Sequence, residues 1–144
     1  MKIIFFSLFF TLFCMTACKT EKGVTDCNSY PSIDYNGSPL YVQPVNSEGF
    51  TSDFDWQGAI DHCYNLDIDG CDDWYLPSYE ELYVLYQNKA TLGDFSDTFG
   101  SNSTYWSATP SAVSTYEAYK VRFYTGDGGY TDKTDVNRCR CVRR

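Results

Sequence analysis

Apolar positions follow three rhythms along this 144-residue chain. They run almost unbroken from Ile3 to Phe13, recur at helical spacing between Trp56 and Tyr86, and alternate with polar residues after Asn88. In "DWQGAIDHCYNL", Trp56, Ala59, Ile60, Cys63 and Leu66 share one face of a helix that Asp55 is placed to cap. A second helix starts in "LPSYEEL". Ser78 and Glu81 have the spacing of a capping box, in which the hydroxyl accepts from an early backbone N–H and the carboxylate accepts from the cap residue's own N–H. Glu81 is therefore expected to be a cap and not an acid catalyst. Leu82, Leu85 and Tyr86 give this helix its apolar stripe, Pro77 stiffens its entry, and Trp74 and Leu76 face inward ahead of it. "SPLYVQPV", Ser38 to Val45, reads as a short strand whose Pro44 favours an edge. "STYWSA" is a further strand, and "AYKVRFYTG" sets Tyr119, Val121 and Phe123 against Lys120 and Arg122. The glycine turn "TGDGG", Thr125 to Gly129, returns the chain into "YTDK", and "RCRCVR" closes as a last strand. Two early helices and a late strand meander predict an α+β domain, with two helices packed on a small antiparallel sheet.

The first apolar run is a leader. It follows Lys2, is shorter than the roughly 20 residues that span a bilayer, and ends in "MTAC", whose small Thr16 and Ala17 before Cys18 resemble a bacterial lipobox. Residues 1–17 are then a lipoprotein signal peptide and Cys18 the lipidated first residue, with acyl chains that hold the protein on a membrane. Residues 18–31 are polar enough to read as a flexible tether, and 32–144 as one domain. The location expected is exported and membrane-anchored, in the outer membrane, with the side it faces left open.

Charge divides the chain. Twelve acids lie between Glu48 and Asp97 against Lys89 alone, whereas Arg138, Arg140, Arg143 and Arg144 crowd the last seven residues. A net charge of −8 opposes nucleic acid and polyanions overall, and Arg140 is expected to face the acids of the helices. With Cys14 and Cys18 set aside, Cys27, Cys63, Cys71, Cys139 and Cys141 remain, an odd number for an exported domain that uses disulfides. Cys139 and Cys141 lie two apart on a strand, with Cα atoms about 6.5–7 Å apart, and are poorly placed to bond each other. A zinc reading is weak, because the single histidine, His62, directly precedes Cys63 and no C-x-x-C pair exists. Asp72 and Asp73 lack the spacing of a calcium loop. No metal or other cofactor is expected.

Catalytic constellations are missing too. One histidine beside a cysteine expected in a disulfide makes no Cys-His or Ser-His arrangement, and no glycine-rich phosphate loop precedes a helix. What remains is binding surface: thirteen tyrosines, three tryptophans and ten phenylalanines. Tyr116, Tyr119, Tyr124 and Tyr130 cluster around the hairpin and are too many to bury in so small a sheet, and exposed tyrosine suits stacking on a glycan or contact with a surface protein.

Read in order, "W-x-x-A" at Trp56 to Ala59 with Cys63, "GCDDWYLPSYEEL", "YWSA", "AYKVRFYTG" and a closing "RCVR" resemble the bacterial domain found at the C-terminus of the Legionella collagen-like adhesin and in many Bacteroidetes lipoproteins. That family has "DWRLP" or "DWFLPS" followed by "EL", then "YWSS" and "VRCVR". Tyr75, Ala108 and the extra Cys71 and Cys139 depart from it without breaking the framework. The resemblance implies a C-type-lectin-like single domain in which a cysteine of the first helix bridges to the final strand, Cys63 to Cys141. Cys71 to Cys139 comes second, and Cys27 could equally take either partner. Fold alone confers no sugar binding. "QPV" and "YWSA" supply no calcium-lectin ligand set, and Cys139 and Cys141 lie on the last strand, whereas the reactive pair of formylglycine-generating enzymes lies upstream of it. The function expected is a non-enzymatic envelope lipoprotein that binds a neutral glycan or a protein. Its rivals are a structural or assembly subunit of the envelope, or a diverged formylglycine-generating-enzyme-like or calcium-dependent binding domain.

Overall fold

The computed structural model describes residues 26–47, 49, 51–99 and 103–144; the leader, Cys18 and the first part of the tether lie outside them. A 3-10 turn, Cys27–Ser29, leads into the hairpin β1 (Ser32–Tyr35) and β2 (Ser38–Val42). β3 (Asp53–Phe54), α1 (Trp56–Tyr64), α2 (Tyr79–Gln87) and the short α3 (Lys89–Leu92) follow, and then β4 (Thr104–Pro110), β5 (Glu117–Arg122), β6 (Gly128–Asp132), β7 (Asn137–Arg138) and β8 (Val142–Arg143). The strands form two sheets, β1-β2-β8 and β3-β7-β4-β5-β6. The larger is antiparallel except where β4 meets β7 in parallel, Tyr105 opposite Arg138.

Both helix starts obey their local chemistry. Asp55 accepts from the Gly58 N–H at 2.7 Å. Ser78 and Glu81 form the reciprocal capping box, with the Ser78 N–H donating to Glu81 Oε2 at 2.9 Å and the Glu81 N–H to Ser78 Oγ at 3.2 Å. Each satisfies N–H groups that a helix leaves open in its first turn.

Adjacent residues of β4 point to opposite sides of its sheet, and the core divides accordingly. Tyr105 joins Leu82 and Leu85 of α2, Val121, Phe123 and the small sheet's Leu40, Val42 and Val142. Trp106 joins Ala59 and Cys63 of α1, Trp74, Leu76, Ala118, Cys139 and Cys141. The two helices thus cover opposite faces of the large sheet. The aromatic N–H groups are tied down as well, Trp56 to the Ser107 carbonyl, Trp74 to that of Cys71 and Trp106 to that of Phe54.

Two expectations are corrected. The sequence predicts one closing strand over "RCRCVR", but the chain crosses from the large sheet at β7 to the small one at β8. Gln43 holds the crossing: its N–H donates to the Cys141 carbonyl at 2.9 Å and its Oε1 accepts from the Cys141 N–H at 3.1 Å. The tether also ends earlier than residue 31. Cys27 is bonded to Cys71, Tyr30 lies against Trp74 with ring centroids 5.5 Å apart, and the Pro31 carbonyl accepts from the Val42 N–H, so the chain is docked from Cys27 onward.

Candidate binding surface

Tyr79, Tyr83 and Tyr86 fall at i, i+4 and i+7 on α2, a spacing that lines side chains along one helix face. Leu82 and Leu85 take the buried face. Across from them the β5–β6 register sets Tyr119 opposite Tyr130. The rings join into one chain: Tyr130 to Tyr119 at 5.8 Å, Tyr119 to Tyr79 at 4.9 Å, Tyr79 to Tyr83 at 6.4 Å and Tyr83 to Tyr86 at 5.8 Å. Tyr83 and Tyr130 remain 38% and 47% exposed. A depression of about 370 Å³ opens among Tyr79, Glu80, Tyr83 and Val84.

The hairpin turn supports this surface from below. A Cβ at Gly126 would sit 2.5 Å from the Tyr86 ring, and one at Gly128 would lie 1.9 Å from the Tyr79 hydroxyl. Gly126 also has φ +83°, a conformation side chains disfavour. At the far end Lys89 lies 5.1 Å over Tyr86, donates to the Phe123 carbonyl at 2.6 Å and pairs with Asp97 at 3.5 Å.

Of the four tyrosines singled out in the sequence, the structure brings Tyr119 and Tyr130 together. Tyr124 stands apart against Phe99, ring centroids 5.8 Å apart, and Tyr116, 78% exposed, does not join the ring chain. Sequence reasoning missed Tyr79 and Tyr83 and assigned Tyr86 to the apolar stripe. The i, i+4, i+7 spacing was the signal that could have found them.

The arginines are committed internally. Arg143 grips Asp73 with two N–H groups, at 2.5 and 3.0 Å, donates to the Cys27 carbonyl and lies over Tyr41. Its hydrogen bonds hold the Asp73 carboxyl below the usual carboxylate range, and Asp73 is thereby engaged as an ion-pair partner in its loop. Arg144 meets Glu81 at 2.6 Å, the same carboxylate that accepts from the Tyr75 hydroxyl at 2.9 Å. Burial, followed by that bond, pushes the Tyr75 phenol up to about 12. Arg138 pairs with Asp53 at 3.8 Å. Arg140 is 1% exposed. It was expected to face the acids of the helices, but instead donates to the Gln43 and Gly93 carbonyls and lies 4.5 Å over Phe95. Burial brings its guanidinium down to about 10.

The disulfides are Cys63–Cys141 and Cys27–Cys71. The first is the pair the resemblance implied. Cys71–Cys139 is not formed, because the 3-10 turn delivers Cys27 to Cys71 while Cys139 lies buried on the α1 side of the large sheet. Cys139 keeps its thiol, which burial and, secondarily, Asp53 push up to about 12. A thiol so far from ionising is a poor nucleophile.

The chain belongs to the Lcl C-terminal domain family, whose model matches residues 23–143. It is an adhesin-associated domain and not an enzyme family. No curated protein matches the chain by sequence. Among the described residues no helix is long and apolar enough to cross a membrane.

Proposed function

We propose that this domain is the ligand-binding head of an exported lipoprotein, anchored through Cys18 in the outer membrane, and that it holds a neutral glycan on the face formed by α2 and the β5–β6 hairpin. The observation that carries the reading is the continuous chain of five half-exposed tyrosines. Their rings meet at 34–45° along α2 and its junction with β5, which makes a faceted trough instead of a flat wall. Tyrosine offers an apolar face for sugar C–H groups and a hydroxyl for sugar oxygens. The depression of about 370 Å³ falls in the range of small-ligand sites. Glu80 at the rim, Lys89 already held by Asp97 and the engagement of the four closing arginines all weigh against a polyanion.

A glycan array probed with the purified chain tests this. Binding to uncharged glycans that Tyr83→Ala and Tyr130→Ala abolish, with unchanged melting temperature, is the expected result. No glycan bound, or binding indifferent to both substitutions, would overturn it; retention of one envelope protein in a pull-down would then favour a protein partner or an assembly role. The anchor has its own test: labelled palmitate should enter the wild type in a bacterial host and be lost in Cys18→Ala.

A further inference from the structure

Three potential metal ligands, one from α1 and two from the closing segment, converge on the α1 side of the large sheet. A ring nitrogen of His62 and the Sγ atoms of Cys139 and Cys141 all lie within 4.8 Å of one another. A fourth ligand-type atom, Cys63 Sγ, is joined to Cys141 Sγ. The disulfide needs only two of the three sulfurs, and Cys139 keeps its thiol in a wall of apolar side chains with Ala59, Trp74 and Trp106. The imidazole is held in place: it stacks on Phe54 with centroids 4.8 Å apart and planes at 19°, and Gly49 approaches so closely that a Cβ there would lie 2.2 Å from Cε1. One imidazole and three sulfurs form a ligand set characteristic of tetrahedral zinc sites, with metal–sulfur bonds of about 2.3 Å and metal–nitrogen bonds of about 2.0–2.1 Å. Those bonds place ligand atoms about 3.5–3.8 Å apart, so His62, Cys139 and Cys141, within 4.8 Å of one another, have only to draw in modestly, whereas Cys63 and Cys141, bonded to each other, have to separate.

We infer that reduction of Cys63–Cys141 turns this cluster into a buried site for a thiophilic divalent cation of the zinc class, with His62, Cys139, Cys141 and Cys63 as its ligands. The reductant is a dithiol. It supplies two electrons and two protons, ending as a disulfide itself, while the Cys63–Cys141 bond breaks to two thiols. The cation then replaces the protons of three thiols, which leave to solvent, and takes the lone pair of the neutral imidazole. The bridge and the metal are thus alternative cross-links between α1 and the closing segment, and Cys139 is the sulfur that only the second one uses.

Cobalt(II) is the probe, because tetrahedral thiolate coordination gives it intense visible bands that an octahedral aqua ion lacks. The full chain is reduced with a dithiol, desalted without oxygen and titrated. One equivalent of cobalt should develop the tetrahedral spectrum and zinc should abolish it, while the oxidised chain stays colourless. Cys139→Ser and His62→Ala should each weaken binding by about tenfold or more, and the double variant Cys27→Ser, Cys71→Ser should leave it unchanged. Near-UV circular dichroism of the oxidised Cys139→Ser chain shows whether that variant is folded. A reduced wild type with only the octahedral spectrum would overturn the inference, whether it stayed folded or not. So would tetrahedral binding that Cys139→Ser leaves intact.

Discussion

The closing segment from Arg138 to Arg144 and the tyrosine face of α2 and the hairpin are both rich in residues that bind ligands elsewhere, yet they are built in opposite ways. Along the closing segment every arginine is paired within the molecule, with Asp53, Asp73, Glu81 or backbone carbonyls, although the Arg144 side chain stays 57% exposed. On the tyrosine face the rings touch chiefly one another and keep part of their surface in water. Residue type alone does not announce function; what matters is whether neighbouring elements already satisfy the side chain. Charge concentrated in sequence is here structural, and aromaticity spread over three elements is available for binding.

The largest effect is expected behind the closing segment, in the core on the α1 side of the large sheet. Trp74→Ala, which empties a site 2% exposed, should cost about 3–5 kcal/mol in urea unfolding; an unchanged midpoint would place Trp74 outside the core. Removing the long-range bridge with Cys63→Ser and Cys141→Ser should cost about 4 kcal/mol by loop-closure reasoning for a separation of 78 residues, measured the same way. Ser78→Ala should lose about 1 kcal/mol with its cap and leave ligand binding intact.

The remaining tests separate the regions most cleanly. Arg143→Met should cost about 1–2 kcal/mol: Asp73 is half open to solvent, but Arg143 is 8% exposed and its loss also removes the donor to the Cys27 carbonyl. Its mark is in the pH profile. Because the folded Asp73 carboxyl titrates below its unfolded value, the pair stabilises the domain above about pH 4 and ceases to as pH falls through the folded value. The variant should lose that acid dependence, so its deficit against wild type should narrow as pH falls and the Asp73 carboxyl is protonated, leaving the part due to the Cys27 carbonyl and the ring contacts. Heparin should not retain the wild type at about 0.15 M salt, where surface charges are screened beyond about 8 Å; retention abolished by Arg143→Ala with Arg144→Ala would restore a polyanion reading of the closing segment.

What the sequence disclosed was local. The Asp55 and Ser78 caps, the apolar faces of both helices and the glycine hairpin follow from spacings of a few residues, and the order of two early helices before a late strand meander carried the α+β fold. The crossing of the closing segment was not legible, because it depends on Gln43, nearly a hundred residues earlier, offering both a backbone and a side-chain partner to Cys141. Cys27 read as part of a polar tether for the same reason: the Cys71 that it meets is set in place by α1 and the loop after it. Tyr79 and Tyr83 were hidden differently. Their spacing was visible, but a helix stripe of tyrosines reads equally as core until the hairpin that backs it is known.

The two bridges overlap in sequence, Cys63 lying inside the 27–71 loop and Cys71 inside the 63–141 loop. Tension applied to the chain ahead of Asp26 would therefore pass through Cys27 to Cys71, back along eight residues to Cys63, and on to Cys141. The covalent track omits nearly every strand. Eight residues stretch to at most about 29 Å, so with both bridges intact the domain is close to inextensible between Cys27 and Cys141 even when its sheets are torn open. A head that must keep hold of a surface under shear would gain from such a strap, because a load entering at Cys27 would pass directly to Cys71, eight residues ahead of Tyr79, without first peeling β1 from β2.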